Sequence, residues 1–154
     1  MSYEIELKEL PDQYVATIRT TTTPDQIGET FRELLPEVDA EILNAGALPA
    51  GPSFALFHEY HEDQVDMEAG FRIEEPIPTS GRVIGRELLA HSAAVTFHHG
   101  PYEGIQAAHR AVEDWLRDQG KELAGAPWEV YWVGPGDDPD SSKWNTEVGY
   151  PFQG

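Results

Sequence analysis

Cysteine is absent from this 154-residue chain, lysine occurs three times against eighteen glutamates, and no apolar run approaches the roughly 20 residues of a membrane-spanning helix. Without cysteine, disulfides, thiolate nucleophiles and cysteine-bound metals are excluded, and the usage fits a reducing interior. The start Met1-Ser2-Tyr3-Glu4 has neither the basic nor the apolar stretch of a secretory leader, so a soluble, cytoplasmic protein is expected. Catalytic signatures are missing too. There is no Gly-x-Ser-x-Gly elbow, P-loop, dinucleotide fingerprint or His-Glu-x-x-His helix, which leaves serine hydrolysis and phosphoryl transfer unsupported. His58-x-x-His61 and His98-His99 have acids nearby, but their spacing fits no closed metal site, and neither metal nor cofactor is expected. Positive charge is scarce as well. A net charge of −18, spread along the chain, repels nucleic-acid phosphates and anionic membranes and favours cationic partners. The same acidity suits a high-salt cytoplasm.

The sequence repeats itself. Gly46 to Tyr60 reads against Gly120 to Gly134 at an offset of 74 (120 minus 46), with the opening glycine, an Ala-Gly pair and the aromatic of Phe54/Trp128 in common. Met67-Glu-Ala-Gly-Phe71 reads against Thr146-Glu-Val-Gly-Tyr150 at 79 (147 minus 68), so Glu68 and Glu147 are counterparts. Thr23-Pro24 matches Gly100-Pro101 at 77. One domain over 1–154 is expected, made of halves at about 1–75 and 80–154. Duplicated halves assemble about a pseudo-two-fold axis, which puts equivalent residues on a shared groove.

Local patterns supply the elements. Tyr3 to Leu10 alternates apolar and polar positions, Pro11-Asp12 turns, and Tyr14 to Thr22 is rich in β-branched residues, so two strands are predicted. Thr23-Pro24-Asp25-Gln26 reads as a capping box opening a helix with Ile27, Phe31, Leu34, Leu35, Val38 and Ile42 at helical spacing. Pro36 is expected to kink or split that helix, and Asn44-Ala-Gly46 to end it. Strands over Phe54–Tyr60 and Gln64–Ile73 complete β-α-β-β. The second half repeats the order, with strands over Arg82–Leu89 and Ala93–His98, a helix carrying Ile105, Ala108, Val112, Trp115 and Leu116, a stop at Gly120, and strands over Trp128–Val133 and Thr146–Phe152. Gly134 to Ser142 is a turn-rich acidic loop. The predicted fold is α+β, two pseudo-symmetric β-α-β-β halves forming an antiparallel sheet with two helices and a ligand cleft between the halves.

Strand alternation puts Met67, Ala69, Phe71 and Ile73 on one face and Thr146, Val148, Tyr150 and Phe152 on the corresponding one, leaving Glu68 and Glu147 opposite. A glutamate between apolar neighbours in mid-strand is protonated, paired, wetted or reserved for a cation. Flat rings around a carboxylate bind delocalised cations by stacking and charge neutralisation. The candidate ligand-binding set is therefore Glu68, Glu147, Phe71, Tyr102, Trp128, Tyr131 and Tyr150.

Phe54-Ala-Leu-Phe-His-Glu-Tyr60, Val65-Asp-Met-Glu-Ala-Gly-Phe71, His98-His-Gly-Pro-Tyr-Glu-Gly104, Pro127-Trp-Glu-Val-Tyr131 and Asn145-Thr-Glu-Val-Gly-Tyr-Pro-Phe152 together resemble the GyrI-like small-molecule-binding domain, the effector-binding part of multidrug-sensing transcription regulators. The resemblance covers nearly the whole chain. It implies that the last-strand glutamate, Glu147, meets cationic aromatic drugs and that Tyr102 of the Gly-Pro-Tyr turn lies close to the cleft. Regulators of that group add a helix-turn-helix, for which this chain leaves no room, so a stand-alone binder is expected. Gly149 stands where a larger residue is common and is expected to open the cleft or alter its floor.

Three functions follow as expectations. The first is sensing or sequestering an apolar, aromatic, cationic small molecule, without direct nucleic-acid or membrane binding. The second, implied by stand-alone members that resemble hydrolases of cyclopropane-bearing alkylating compounds, makes Glu147 the general acid or base and Tyr102 a proton donor or an orienter of water. The third is a protein partner, gyrase or a regulator, in the manner of the family's gyrase inhibitor.

Overall fold

The computed structural model describes residues 3–153. Along them run strands β1 (Glu6–Leu10) and β2 (Gln13–Thr22), helix α1 (Ile27–Asn44), strands β3 (Pro49–Tyr60), β4 (Val65–Ile73), β5 (Ile84–Leu88) and β6 (His91–His99), helix α2 (Ile105–Asp118), and strands β7 (Glu122–Leu123), β8 (Trp128–Val133) and β9 (Asn145–Gln153). The α+β class and the two helices are as the patterns require. No described helix is long and apolar enough to cross a membrane.

Contacts divide the described residues into two compact units: residues 11–90, and a second in which the first strand joins residues 91–153. In the 11–90 unit the strands run in the order β3-β4-β2-β5, all antiparallel, and α1 buries Leu34, Val38 and Ile42. In the other, β1-β6-β9-β8 are antiparallel neighbours, β7 pairs with the end of β9, and α2 packs Ile105, Ala108, Val112 and Leu116 on Ala94, Val148 and Tyr150. Leu34 and Val38 correspond to Val112 and Leu116, 78 residues later (112 minus 34), so the duplicated helices bury equivalent stripes.

The edge strands are exchanged relative to the sequence repeat. β5 pairs with β2, setting Val15 opposite Arg86, while β1 pairs with β6, setting Ala93 opposite Lys8. Val15 and Ala93 are 78 apart (93 minus 15), which makes Arg86 and Lys8 structural equivalents. The connection between β1 and β2 is only Pro11-Asp12, and proline there has no N–H to close a hairpin ladder. Asp12 Oδ1 instead accepts the Ala90 N–H at 2.6 Å, closing the ends of the 11–90 unit on each other.

Two local expectations are corrected. α1 runs unbroken through Pro36, because the residue lies on the exposed side of the helix, while Leu34, Val38 and Ile42 hold the helix down. Thr23 does not cap. Its Oγ1 donates to Asp25 at 2.6 Å, and a single 3₁₀ turn over Pro24–Gln26 starts the helix instead. Gly46 and Gly120, at φ 79° and 66°, end the helices as left-handed stops.

Candidate functional site

Glu68 lies on the face of its sheet turned away from α1. Thr22 bonds Thr30 of α1 at 2.8 Å, so the even residues of β2 face the helix, and register puts Met67 and Ala69 with them and Glu68 opposite. It is 2 % exposed and accepts four bonds: from Thr17 Oγ1 at 2.5 Å, His58 Nε2 at 2.8 Å, and Arg86 Nε and Nη2 at 2.9 and 2.8 Å. Burial by itself pushes the carboxyl up, but the bonds from Arg86, Thr17 and His58, together with the Arg86 charge, outweigh it and hold the pKa at about 2. A carboxylate offers about four accepting positions, and here all are taken.

Glu147 repeats this arrangement with weaker partners. On β9, Val148 and Tyr150 pack under α2, which leaves Glu147 on the other face. It is 4 % exposed and accepts from Lys8 Nζ at 2.9 Å and Trp132 Nε1 at 2.8 Å. Lys8 is the equivalent of Arg86, and Trp132 stands 74 residues after His58 (132 minus 58), at the same place against the glutamate. Val95, opposite Gly149 as Thr17 is opposite Gly70, lacks the third donor. The counterpart relation read from the repeat thus extends to the partners, but only two of the bonds have been kept.

The α2 side of the later unit holds a polar network that the repeat did not announce. Glu129, 8 % exposed, accepts from Tyr131 OH at 2.6 Å and bonds His109 Nε2 at 2.6 Å, and His109 Nδ1 meets Tyr150 OH at 2.9 Å, which in turn donates to Glu113 at 3.1 Å. Tyr102 stands edge-on to Tyr131 with ring centroids 6.0 Å apart and tilted 35° against Trp144 at 5.0 Å. Burial raises the Tyr102, Tyr131 and Tyr150 hydroxyl pKa values, and the neighbouring carboxylates Glu129 and Glu113 add to it, so all three stay protonated at neutral pH. The 11–90 unit has Ala55, Phe57, Phe71 and Phe31 at the positions of Glu129, Tyr131, Tyr150 and His109 (offsets of 74, 74, 79 and 78). Only one copy of the duplicated fold carries the network.

The candidate residues therefore fall into separate groups. Tyr102, Tyr131 and Tyr150 surround Glu129, not Glu147. Trp128 shares the Glu147 face, where its indole lies across Gly149; a Cβ there would stand 2.2 Å from Cζ2, so the missing side chain is filled by the ring and opens nothing. Glu68 and Phe71 belong to the 11–90 unit, Phe71 half-buried on its α1 face opposite Ala16 and Ser53. His98 is tied on both nitrogens, to Tyr3 OH at 3.0 Å and to the Pro101 carbonyl at 2.9 Å, which holds the turn leading to Tyr102. Glu129 and His109 were missed. Glu129 alternates in phase with Tyr131 on an otherwise apolar strand, and His109 interrupts the buried stripe of α2 four residues after Ile105; those are the signals that mark them.

A model of the GyrI-like small molecule binding domain matches residues 3–153. None of the curated proteins matches the chain. Among solved structures, EcmrR in its complex with DNA is 28% identical with a TM-score of 0.89, aligning 99% of this chain with 58% of that one; this chain thus spans little more than half of EcmrR. The EcmrR C-terminal domain by itself is 27% identical at a TM-score of 0.89, with 99% of both chains covered. SAV2435, solved bound to tetraphenylphosphonium, shares the fold at 16% identity and a TM-score of 0.67, covering 100% of this chain and 95% of that one.

Proposed function

We propose, since this chain belongs to the GyrI-like small-molecule-binding family, that the small molecule it takes is a flat, apolar organic cation, received by the Tyr102, Tyr131 and Trp144 rings with Glu129 as counter-charge. One observation carries the reading: the Tyr102, Tyr131 and Trp144 rings converge beside a buried carboxylate, Glu129, which Tyr131 and His109 bond. Ring faces attract a delocalised cation, and with the tyrosines protonated the negative charge comes from Glu129, with Glu113 and Asp137 close by. The overall −18 charge draws cations toward the molecule from a distance. Glu68, with every accepting position occupied, is assigned to holding its sheet.

Tetraphenylphosphonium, which a protein of the same fold binds, is the natural first probe, with rhodamine 6G and ethidium beside it. Quenching of tryptophan fluorescence is expected to saturate, Trp144 being the reporter in the corner, and Glu129→Gln is expected to weaken binding about tenfold, the worth of 1.4 kcal/mol. No quenching by any of the three cations sinks the reading.

A second reading, hydrolysis of strained-ring alkylating compounds, is favoured by the bonded sequence Tyr131, Glu129, His109, Tyr150: Glu129 would take a proton from the water whose oxygen bonds the ring carbon, and Tyr131 would protonate the group released as the strained carbon–carbon bond breaks. Turnover of a cyclopropane-bearing compound that is lost in Glu129→Gln and Tyr131→Phe separates this from binding alone; binding without turnover removes it.

A further inference from the structure

The polar chain on the α2 side of the later unit has more bonds than its neutral side chains have protons to fill them. His109 Nε2 lies 2.6 Å from Glu129 Oε2, His109 Nδ1 lies 2.9 Å from the Tyr150 oxygen, and the Tyr150 hydroxyl lies 3.1 Å from Glu113 Oε1. Each of these contacts is a bond only if one proton lies in it, and a neutral imidazole and a phenol bring two protons to three contacts. Glu113 takes the Tyr150 proton, which makes Nδ1 the donor to the Tyr150 oxygen and leaves Nε2 bare beside a carboxylate. The third proton has to come from solution. It sits between Nε2 and Oε2, whichever of the two atoms owns it. Tyr131 does not alter the count, because its hydroxyl already donates to the other oxygen, Glu129 Oε1, at 2.6 Å. Nor does the fold require the arrangement, since the 11–90 unit has Phe31, Ala55 and Phe71 where His109, Glu129 and Tyr150 stand. The titratable and charged groups around His109 are Glu129 and Tyr131 from β8, Tyr150 from β9 and Glu113 one turn further along α2, with Tyr102 against Tyr131 and Asp137 near Tyr102.

We propose that the chain Glu113, Tyr150, His109, Glu129 holds this extra proton in the free protein and surrenders it when a cation settles beside Glu129, so that the corner exchanges a proton for its ligand. The inference rests on the cation reading above and adds its regulation. With the proton in place the His109–Glu129 pair is neutral as a whole, and the counter-charge a cation needs is masked. Removal follows the bonds. Tyr150 passes its hydroxyl proton to Glu113 and takes the Nδ1 proton in its place, Glu113 gives the proton it received to water, and Tyr150 turns its O–H towards the bare Nδ1. His109 then donates from Nε2 to an ionised Glu129. Glu113 is exposed, whereas His109 and Glu129 are each 8 % exposed, which makes Glu113 the exit. Exchange of one proton makes cation affinity rise with pH, by up to about tenfold per unit. A carboxylate masked about nine-tenths of the time costs a cation about tenfold in affinity.

Glu113→Gln decides it, because the side chain is exposed and its amide removes the need for a third proton. The amide N–H donates to the Tyr150 oxygen, Tyr150 donates to Nδ1, and Nε2–H donates to Glu129. Tetraphenylphosphonium is titrated by calorimetry at pH 6 in two buffers of different ionisation enthalpy. The native protein is expected to release about one proton per cation bound. Glu113→Gln is expected to release none and to bind about tenfold more tightly, although it has lost a negative charge that by simple attraction would favour the cation. Binding by the native protein with no proton released, or Glu113→Gln binding no more tightly, overturns the proposal. Ligand-free protein supplies a second readout. NMR of the His109 ring nitrogens, assigned with His109→Gln, is expected to find Nδ1 protonated in the native protein at pH 6 and bare in Glu113→Gln; the same Nδ1 state in both also overturns the proposal. Absence of cation binding removes the cation reading and the exchange with it, whereas binding without proton release removes the exchange alone.

Discussion

Replacing Glu68 by glutamine tests whether the carboxylate at the centre of the 11–90 unit is held ionised by its neighbours. In the folded protein its pKa is about 2, against an ordinary 4.5, so ionised Glu68 contributes about 3 kcal/mol at neutral pH. Because the folded value is the lower one, that stability is complete above pH 4.5 and is lost as the pH falls towards 2. About 2 kcal/mol of it is gone at pH 3. Glu68→Gln leaves the Arg86 guanidinium, whose side chain is 35% exposed, without its counter-charge, and is expected to cost roughly 3 kcal/mol at pH 6, the lower end of what breaking a buried pair costs. Urea unfolding at pH 6 and pH 3 measures both. It must be followed by far-UV circular dichroism, since Trp115, Trp128, Trp132 and Trp144 all lie in the other unit. Other carboxylates lose stability on acidification too, but they do so in both proteins, and the difference between the two isolates Glu68. The gap is expected to shrink by about 2 kcal/mol from pH 6 to pH 3. A gap that stays the same at both pH values refutes the argument that the charge, and not the shape, of Glu68 holds this sheet.

Gly149→Ala forces a methyl against the Trp128 ring, where the nearest approach would be 2.2 Å, and is expected to lower stability by roughly 1–3 kcal/mol in a thermal melt. Gly70→Ala is expected to cost more, at least about 3 kcal/mol, because its Cβ would stand 1.9 Å from the Ala16 carbonyl oxygen and backbone must move; expression and melting temperature report it. Tyr150→Phe removes the hydroxyl between His109 and Glu113 and is expected to cost about 1–3 kcal/mol in urea unfolding while leaving Lys8 and Glu147 as they are. Trp144→Leu keeps an apolar side chain beside Tyr102 but removes a ring face, so tetraphenylphosphonium, measured by calorimetry, is expected to bind several-fold more weakly.

Repetition is what made the architecture legible. The offsets of 74 and 79 located equivalent strands, and they remain the right alignment when the partners of Glu68 and Glu147 are compared. Alternation set both glutamates opposite the apolar faces of their strands, and the structure shows that those apolar faces are the ones turned to the helices. What the pattern did not carry was pairing: nothing in Glu6-Leu-Lys-Glu-Leu10 names β6 as its partner, because strand order depends on contacts far apart in sequence. The role of Lys8 was hidden for the same reason, as it becomes Arg86's equivalent only once the edge strands are exchanged. Glu129 was obscured by the alignment itself. Its counterpart is Ala55, and a search for features shared by the two halves passes over a residue that only one of them has.

The exchange of edge strands also sets an order on synthesis. Residues 11–90 hold all of their own strands in one stretch, so that part can form as soon as it leaves the ribosome. β1 is made first yet has to wait for β6, some eighty residues later, before its backbone finds a partner. Five residues long, with Glu6, Lys8 and Glu9 among them, it is a poor template for stray association while it waits.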